Sequence, residues 1–249
     1  MVCQAFPFPF GALRSPTSIV VRETDGGELP VQVRPVTRWP DGSLQTAVAC
    51  FPASLGWGHR RGYSLHYGTD VKATATPAQP VRVQEAAEAV TIDTGRARFA
   101  ISTKTGELLS TAEVGGRSLL PSGKPWCAEI VDDTGAVFTS AGETVESVEI
   151  AEAGPLRAII VKRGKQRNAE GACLDYRYEY HVVAGEGGFR FFYTFSNTTE
   201  SAGVHVRRIS LKLPWDSRTH TVYVKRPEDS VPRRLSGNRL DAYQHFHNT

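Results

Sequence analysis

Between residues 174 and 182 the chain alternates without a break. Leu174, Tyr176, Tyr178, Tyr180 and Val182 fall on one face, and Asp175, Arg177, Glu179 and His181 on the other. A helix would scatter the two sets around its axis, whereas a strand separates them. The next run repeats the pattern with Phe189, Phe191, Tyr193 and Phe195, and Gly185-Glu186-Gly187-Gly188 reads as the hairpin between them. This aromatic stripe reads as core in preference to a sugar platform, because large rings are mostly used for buried area. Period-two runs punctuated by Gly, Asp and Pro recur along most of the 249 residues, so the chain reads as all-β. One helical candidate, Gln84-Glu85-Ala86-Ala87-Glu88-Ala89, is too short to be stable alone.

The strands fall into two units. The first, residues 1–70, carries Ile19–Arg22, Val31–Arg38, Leu44–Phe51 and Tyr63–Tyr67, and reads as a small barrel that hides its own strand edges. An Ala-, Thr- and Pro-rich spacer follows, giving a linker over 71–87. The second unit, 88–226, has long strands joined by Gly-rich turns and reads as a β-sandwich. Ala128–Val131 and Ala136–Thr139 flank Asp133-Thr134-Gly135, a further hairpin, and Val204–Leu213 and His220–Lys225 are expected to finish the sheet. Residues 227–249 read as an irregular, polar tail.

Arg38-Trp39-Pro40-Asp41-Gly42-Ser43 separates two alternating runs. Pro40 presets φ, Asp41 can bond its own backbone and Gly42 can take positive φ, so the stretch reads as a hairpin tip. Trp39 then either caps the barrel end or faces a ligand, and the cap is the commoner use of a tryptophan.

The hairpin belongs to an ordered set. Phe6-Pro7-Phe8-Pro9-Phe10-Gly11 comes first, then Ile19-Val20-Val21-Arg22, Asp25-Gly26-Gly27, Leu29-Pro30-Val31-Gln32, the Arg-Trp-Pro-Asp-Gly-Ser turn, and Tyr63-Ser64-Leu65-His66-Tyr67-Gly68. This order resembles the N-terminal barrel of the exo-rhamnogalacturonan lyase and YetA-like family. The resemblance implies a RIFT-type barrel, a central β-sandwich and then an α/α toroid. Nothing in these 249 residues could form a toroid, and the C-terminus stops without a closing element, so the chain reads as the N-terminal portion of such a protein.

Composition narrows the function classes. With 29 basic and 26 acidic residues the net charge is +3, too balanced to argue for nucleic acid. No segment can span a membrane and the first residues lack a signal-peptide pattern, so as given the chain reads as cytoplasmic. The four cysteines, Cys3, Cys50, Cys127 and Cys173, form no C-x-x-C pair, which speaks against zinc. A disulfide framework is not expected at this size, and Cys50 reads as a small buried apolar residue.

The lyases of the resembled family act by β-elimination, which needs a base, an acid and a partner for the uronate carboxylate. No catalytic residue is assigned here. Trp57, His59, Arg60 and Arg61 share one loop and could stack on and hold an anionic sugar; the alternative is a solvated basic loop with Trp57 folded onto the barrel. His181, His205 and His220 read as structural strand residues, although His181 with Glu179 are the neighbours a mutarotase-like reading would need. His245 and His247 lack a third metal ligand. Asp41 and the Asp132-Asp133 pair raise the question of Ca²⁺ but read as turn formers, so no metal and no cofactor is expected. The sequence thus points to part of a polysaccharide-lyase-like protein that supports a cleft for rhamnogalacturonan or related anionic or neutral carbohydrate. It is not expected to be catalytic alone, and the partner it would lack is the α/α toroid. The alternative is a stand-alone carbohydrate-binding or structural β module.

Overall fold

The computed structural model describes residues 1–24, 26–54, 60–121, 123–198, 205–215, 221, 223–224 and 231–234. Every regular element among them is a strand. The N-terminal unit holds β1 (Val2–Pro7), β2 (Ile19–Glu23), β3 (Glu28–Leu29), β4 (Gln32–Arg38), β5 (Leu44–Phe51) and β6 (Tyr63–Tyr67). They form two three-stranded sheets, ordered β1-β5-β4 and β3-β2-β6. Phe8, Leu13, Ile19, Leu44 and Ala47 are buried in one cluster, with Phe6, Val33 and Leu65 packed on it, so both sheets share a core.

Two features here differ from the sequence reading. β1 is a full strand, hydrogen-bonded along β5 in the register that sets Cys3 opposite Cys50. These two cysteines are joined by a disulfide, so Cys50 is not simply a small apolar filler. The reading missed the bond because its first expected strand was Ile19–Arg22, leaving Cys3 without a strand to carry it. Cys127 and Cys173 are free and buried.

The turn between β4 and β5 follows its residues closely. The Gly42 amide donates to Trp39 O at 2.9 Å, the Trp39 amide to Ser43 O at 2.8 Å, and Gly42 has φ +81. Asp41 Oδ1 accepts from the Ser43 amide (3.0 Å) and hydroxyl (2.6 Å). Those two donors hold the Asp41 carboxyl below its usual range.

The sandwich begins at β7 (Arg82–Glu85), inside the stretch expected to be linker. β7 pairs with β8 (Ala89–Asp93), so the helical candidate 84–89 is instead a hairpin closed by the Ala86 amide on Ala89 O. The alternation of Val83 with exposed neighbours, matched opposite Ile92, outweighs local helix propensity. β9 (Ala97–Ser102), β10 (Thr111–Val114) and β11 (Arg117–Ser118) complete a five-stranded sheet, β11-β10-β9-β8-β7.

The facing sheet contains β12 (Cys127–Asp132), β13 (Val137–Thr139), β14 (Val145–Ala153), β15 (Arg157–Arg167), β16 (Ala172–Val183), β17 (Phe189–Ser196) and β18 (Val206–Lys212). Its order is β17-β16-β15-β13-β12-β18, with β14 also on β15. Tyr176, Tyr178 and Tyr180 are fully buried and pack with Ile160 and Val182 against Ile92, Phe99 and Ile101 of the other sheet. The stripe is therefore core, though it weakens toward the end of β17, where Phe195 is exposed. β19 (Tyr223–Val224) pairs with β20 (Arg233–Arg234) in a separate ribbon and does not extend the large sheet as expected.

A buried polar contact joins the two units. Gln32 of β4 uses its whole amide: Oε1 accepts from the Leu156 and Arg157 amides, both at 2.9 Å, and Nε2 donates to Glu152 Oε1 (2.6 Å) and Arg157 O (3.0 Å). Arg157 grips Glu152 with Nε at 3.0 Å and Nη2 at 2.6 Å. Its Nη1 also reaches Cys3 Sγ at 3.3 Å, beside the disulfide.

Candidate functional site

β16 and β17 pair antiparallel from Asp175↔Ser196 to Val182↔Phe189, and their register sorts the side chains. The tyrosines turn inward; His181, Glu179, Arg177 and Asp175 turn outward. Opposite them on β17 stand Arg190, Phe192, Thr194 and Ser196. Gly185, at φ +73, turns the chain between the strands, and its amide on Thr94 O (2.8 Å) pins the hairpin to the sandwich.

On this outer face Glu179 is the hub. Its Oε1 lies 2.6 Å from His181 Nε2, and its other oxygen pairs with Arg177. The hydrogen bond from His181, with the Arg177 charge beside it, holds the Glu179 carboxyl below its usual range. An ionised Glu179 keeps a ring proton on Nε2, which donates to it. The imidazole packs on Phe192, ring centroids 5.1 Å apart, and Phe192 is 44% exposed. Arg190, opposite His181, is exposed as well. An open ring, an oriented imidazole and two guanidiniums therefore lie on adjacent strands. A pyranose can stack its C–H face on such a ring, and a carboxylate can take the guanidiniums bidentately.

The direct bond between Glu179 and His181 also limits the chemistry. A mutarotase-like reading needs the two groups as separate acid and base around a sugar. Here the two are bonded to each other, and the carboxylate orients the imidazole.

The loop residues singled out in the sequence divide. Trp57 and His59 lie outside the described residues. Arg60 is exposed just before β6, and Arg61 Nη1 pairs with Glu23 Oε1 at 2.5 Å. His205 is not on a strand: it precedes β18, where its carbonyl accepts the Asp133 amide (3.0 Å). His220, His245 and His247 lie outside the described residues. Asp132 acts as a turn former, its Oδ1 accepting from the Thr134 hydroxyl and amide and the Ala136 amide. Among the described residues no three His, Cys, Asp or Glu side chains gather as a metal site would require. The sequence reading passed over Phe192, and a signal was there: it is a ring on the polar phase of an otherwise alternating strand.

Two adjoining family models cover most of this fold. Residues 2–63 match the PcRGLX-like N-terminal RIFT barrel domain, and residues 81–223 match the PcRGLX-like protein central beta sandwich domain. The chain belongs to the PcRGLX-like family. No curated protein matches it. Within the family frame, the Gln32 clamp joins the two matched domains, and the β16–β17 face belongs to the central sandwich.

Proposed function

We propose that this barrel and sandwich form a carbohydrate-binding β module that supports one wall of a cleft for uronate-containing polysaccharide, of the rhamnogalacturonan class, without turning it over unaided. Membership of the PcRGLX-like family supports the polysaccharide class. The observation that carries the binding role is the exposed Phe192 ring set between the Glu179-oriented His181 and two guanidiniums, Arg177 and Arg190. A ring supplies stacking area, and exposed cations supply a salt-sensitive attraction for the carboxylate. The exposed Arg60, beside the Glu23-paired Arg61, extends the same logic to the barrel as an auxiliary contact for anionic sugar.

Elimination needs a base, an acid and a carboxylate partner held together, and losing members of such a unit costs orders of magnitude in rate. On the described β16–β17 face the carboxyls of Glu179 and Asp175 are engaged by His181 and Arg177 and by Lys165. The test is twofold. Rhamnogalacturonan oligosaccharides should bind the 249-residue chain weakly, more weakly as salt is added, and Phe192→Ala should reduce that binding about tenfold. The ultraviolet absorbance of unsaturated uronate should stay flat, with or without Ca²⁺. A rise proportional to protein would place catalysis within this chain, and binding untouched by Phe192→Ala would remove the face from the reading.

A further inference from the structure

The barrel's turn end carries a second, separate arrangement of an exposed ring and cations. Phe6-Pro7-Phe8-Pro9-Phe10 sends two rings inward: Phe8 is buried and Phe6 packs on the same core. The third does not follow. Pro9-Phe10-Gly11-Ala12 closes as a turn, with the Ala12 amide on Pro9 O at 3.2 Å and Gly11 at φ +73. Phe10 sits at its corner, 65% exposed, in an edge-type contact with Trp39 at 6.0 Å between centroids.

This turn is bound firmly to the β4–β5 turn. The Gly11 amide donates to Ser43 Oγ (3.0 Å), Trp39 Nε1 to Phe8 O (3.1 Å), and the Leu44 amide to Leu13 O (2.6 Å). Arg14 crosses from the first turn to the second, with Nη1 on Asp41 O (2.6 Å) and Nη2 3.3 Å from Asp41 Oδ2. Arg38 adds a second guanidinium, its Nη1 on Gly42 O (2.7 Å). Arg14 thus pairs with the Asp41 carboxylate and its side chain remains 67% exposed, while Arg38 is held on the backbone carbonyls of Gly42 and Arg14.

Trp39 serves as the support, its indole N–H committed to the backbone, while Phe10 is the ring that faces water. A ring whose position is set by two interlocked turns loses little freedom on binding, which is the condition for a useful platform. The residual positive charge selects an acidic sugar over a neutral one. We propose that Phe10, supported by Trp39 and flanked by Arg14 and Arg38, is a second carbohydrate-contact site that stacks a pyranose and draws in its carboxylate. Its ligand class rests on the polysaccharide reading proposed above, but it lies on the barrel, distinct from the β16–β17 face, and does not require that face to bind.

The test titrates the full chain with oligogalacturonate at low ionic strength, following heat, for the wild type, Phe10→Ala, Arg14→Gln and Phe192→Ala. Phe10→Ala and Arg14→Gln should each weaken one binding component about tenfold, Phe10→Ala with melting temperature unchanged, while Phe192→Ala leaves that component in place. The same ligand with its carboxylates reduced should lose the Arg14 dependence. Binding identical in wild type, Phe10→Ala and Arg14→Gln overturns the barrel site and leaves the sandwich face standing. Binding lost in Phe10→Ala but indifferent to Phe192→Ala overturns the sandwich face instead. No heat in the wild type overturns both.

Discussion

Lys162 is the residue with the most to say about this core. It lies opposite Tyr178 in the β15–β16 register and is fully buried, its ammonium donating to Thr105 O (2.6 Å) and Glu107 O (2.8 Å). Burial brings its pKa down from 10.5 to about 8. Between those values the unfolded chain holds a proton that the folded chain has released, so stability rises with pH through that window. Tyr176 and Tyr193 act in the opposite sense. Burial pushes both to about 12 from 10.0, so they keep protons that the unfolded chain loses, and stability falls as pH climbs above 10. Denaturant titrations should therefore show stability climbing from pH 8 toward pH 10, offset in part by the Cys127 and Cys173 thiols that burial keeps protonated, and then declining. Lys162→Met should remove the climb and keep the decline; a climb that persists in the variant would locate its source elsewhere. Trp39 gives a second test at this scale. Trp39→Ala removes a half-buried indole and its bond to Phe8 O, and should cost about 3 kcal/mol whether or not sugar is present. Unchanged stability with lost sugar affinity would make Trp39 itself the platform.

At the scale of elements, two contacts fix how strands sit. The Cys3–Cys50 bond ties the edge strand β1 to β5 across a separation of 47 residues. Chain-entropy reasoning gives such a closure about 4 kcal/mol, so reduction should lower the melting temperature by many degrees. Thiol counting in denaturant checks the bond directly: two cysteines should react before reduction and all four after it. The second contact is the Gln32 clamp. Gln32→Ala strands the Leu156 and Arg157 amides and deprives Glu152 of a donor, a loss of about 2–4 kcal/mol. Gly154→Ala should do similar damage from the other side, because an added Cβ would come within 2.2 Å of the Gln32 side chain, whose amide is held at both ends and cannot swing aside freely. If urea unfolding of both variants matches the wild type in midpoint and slope, the clamp contributes nothing to stability.

For the whole molecule, the question is whether barrel and sandwich move as one. The connecting chain is pinned at both ends. Glu28 Oε1 accepts from the Thr74 and Ala75 amides (2.6 and 2.7 Å), and the Val81 amide donates to Pro155 O (2.9 Å). Lys72 is exposed just before the first pin. Limited trypsin digestion should nick early after Lys72, and the two pieces should still elute together because Gln32, Glu152 and Arg157 hold them. In Gln32→Ala the nicked pieces should separate. Earliest cuts inside 174–196 would mean that the sandwich core is not the stable unit.

The alternation in 172–196 already dictated strands, and the Pro40-Asp41-Gly42 spacing dictated a hairpin, because period and turn geometry are local and need no partner to be read. The buried face of the tyrosines followed from the same period. The order of motifs likewise carried the family and, with it, a barrel ahead of a sandwich. What is decided by distant pairing was not legible. Gln32 is one residue in a Pro-x-Gln motif until the β14–β15 turn, about 120 positions away, meets it. Cys3 is a stray thiol until β1 registers on β5. Phe192 is marked in the sequence by its phase alone, and Phe10 looks like any other ring in an aromatic-rich run. Only the tertiary structure shows that both are exposed, because whether a ring meets protein or water depends on what the rest of the chain brings to that side of the strand.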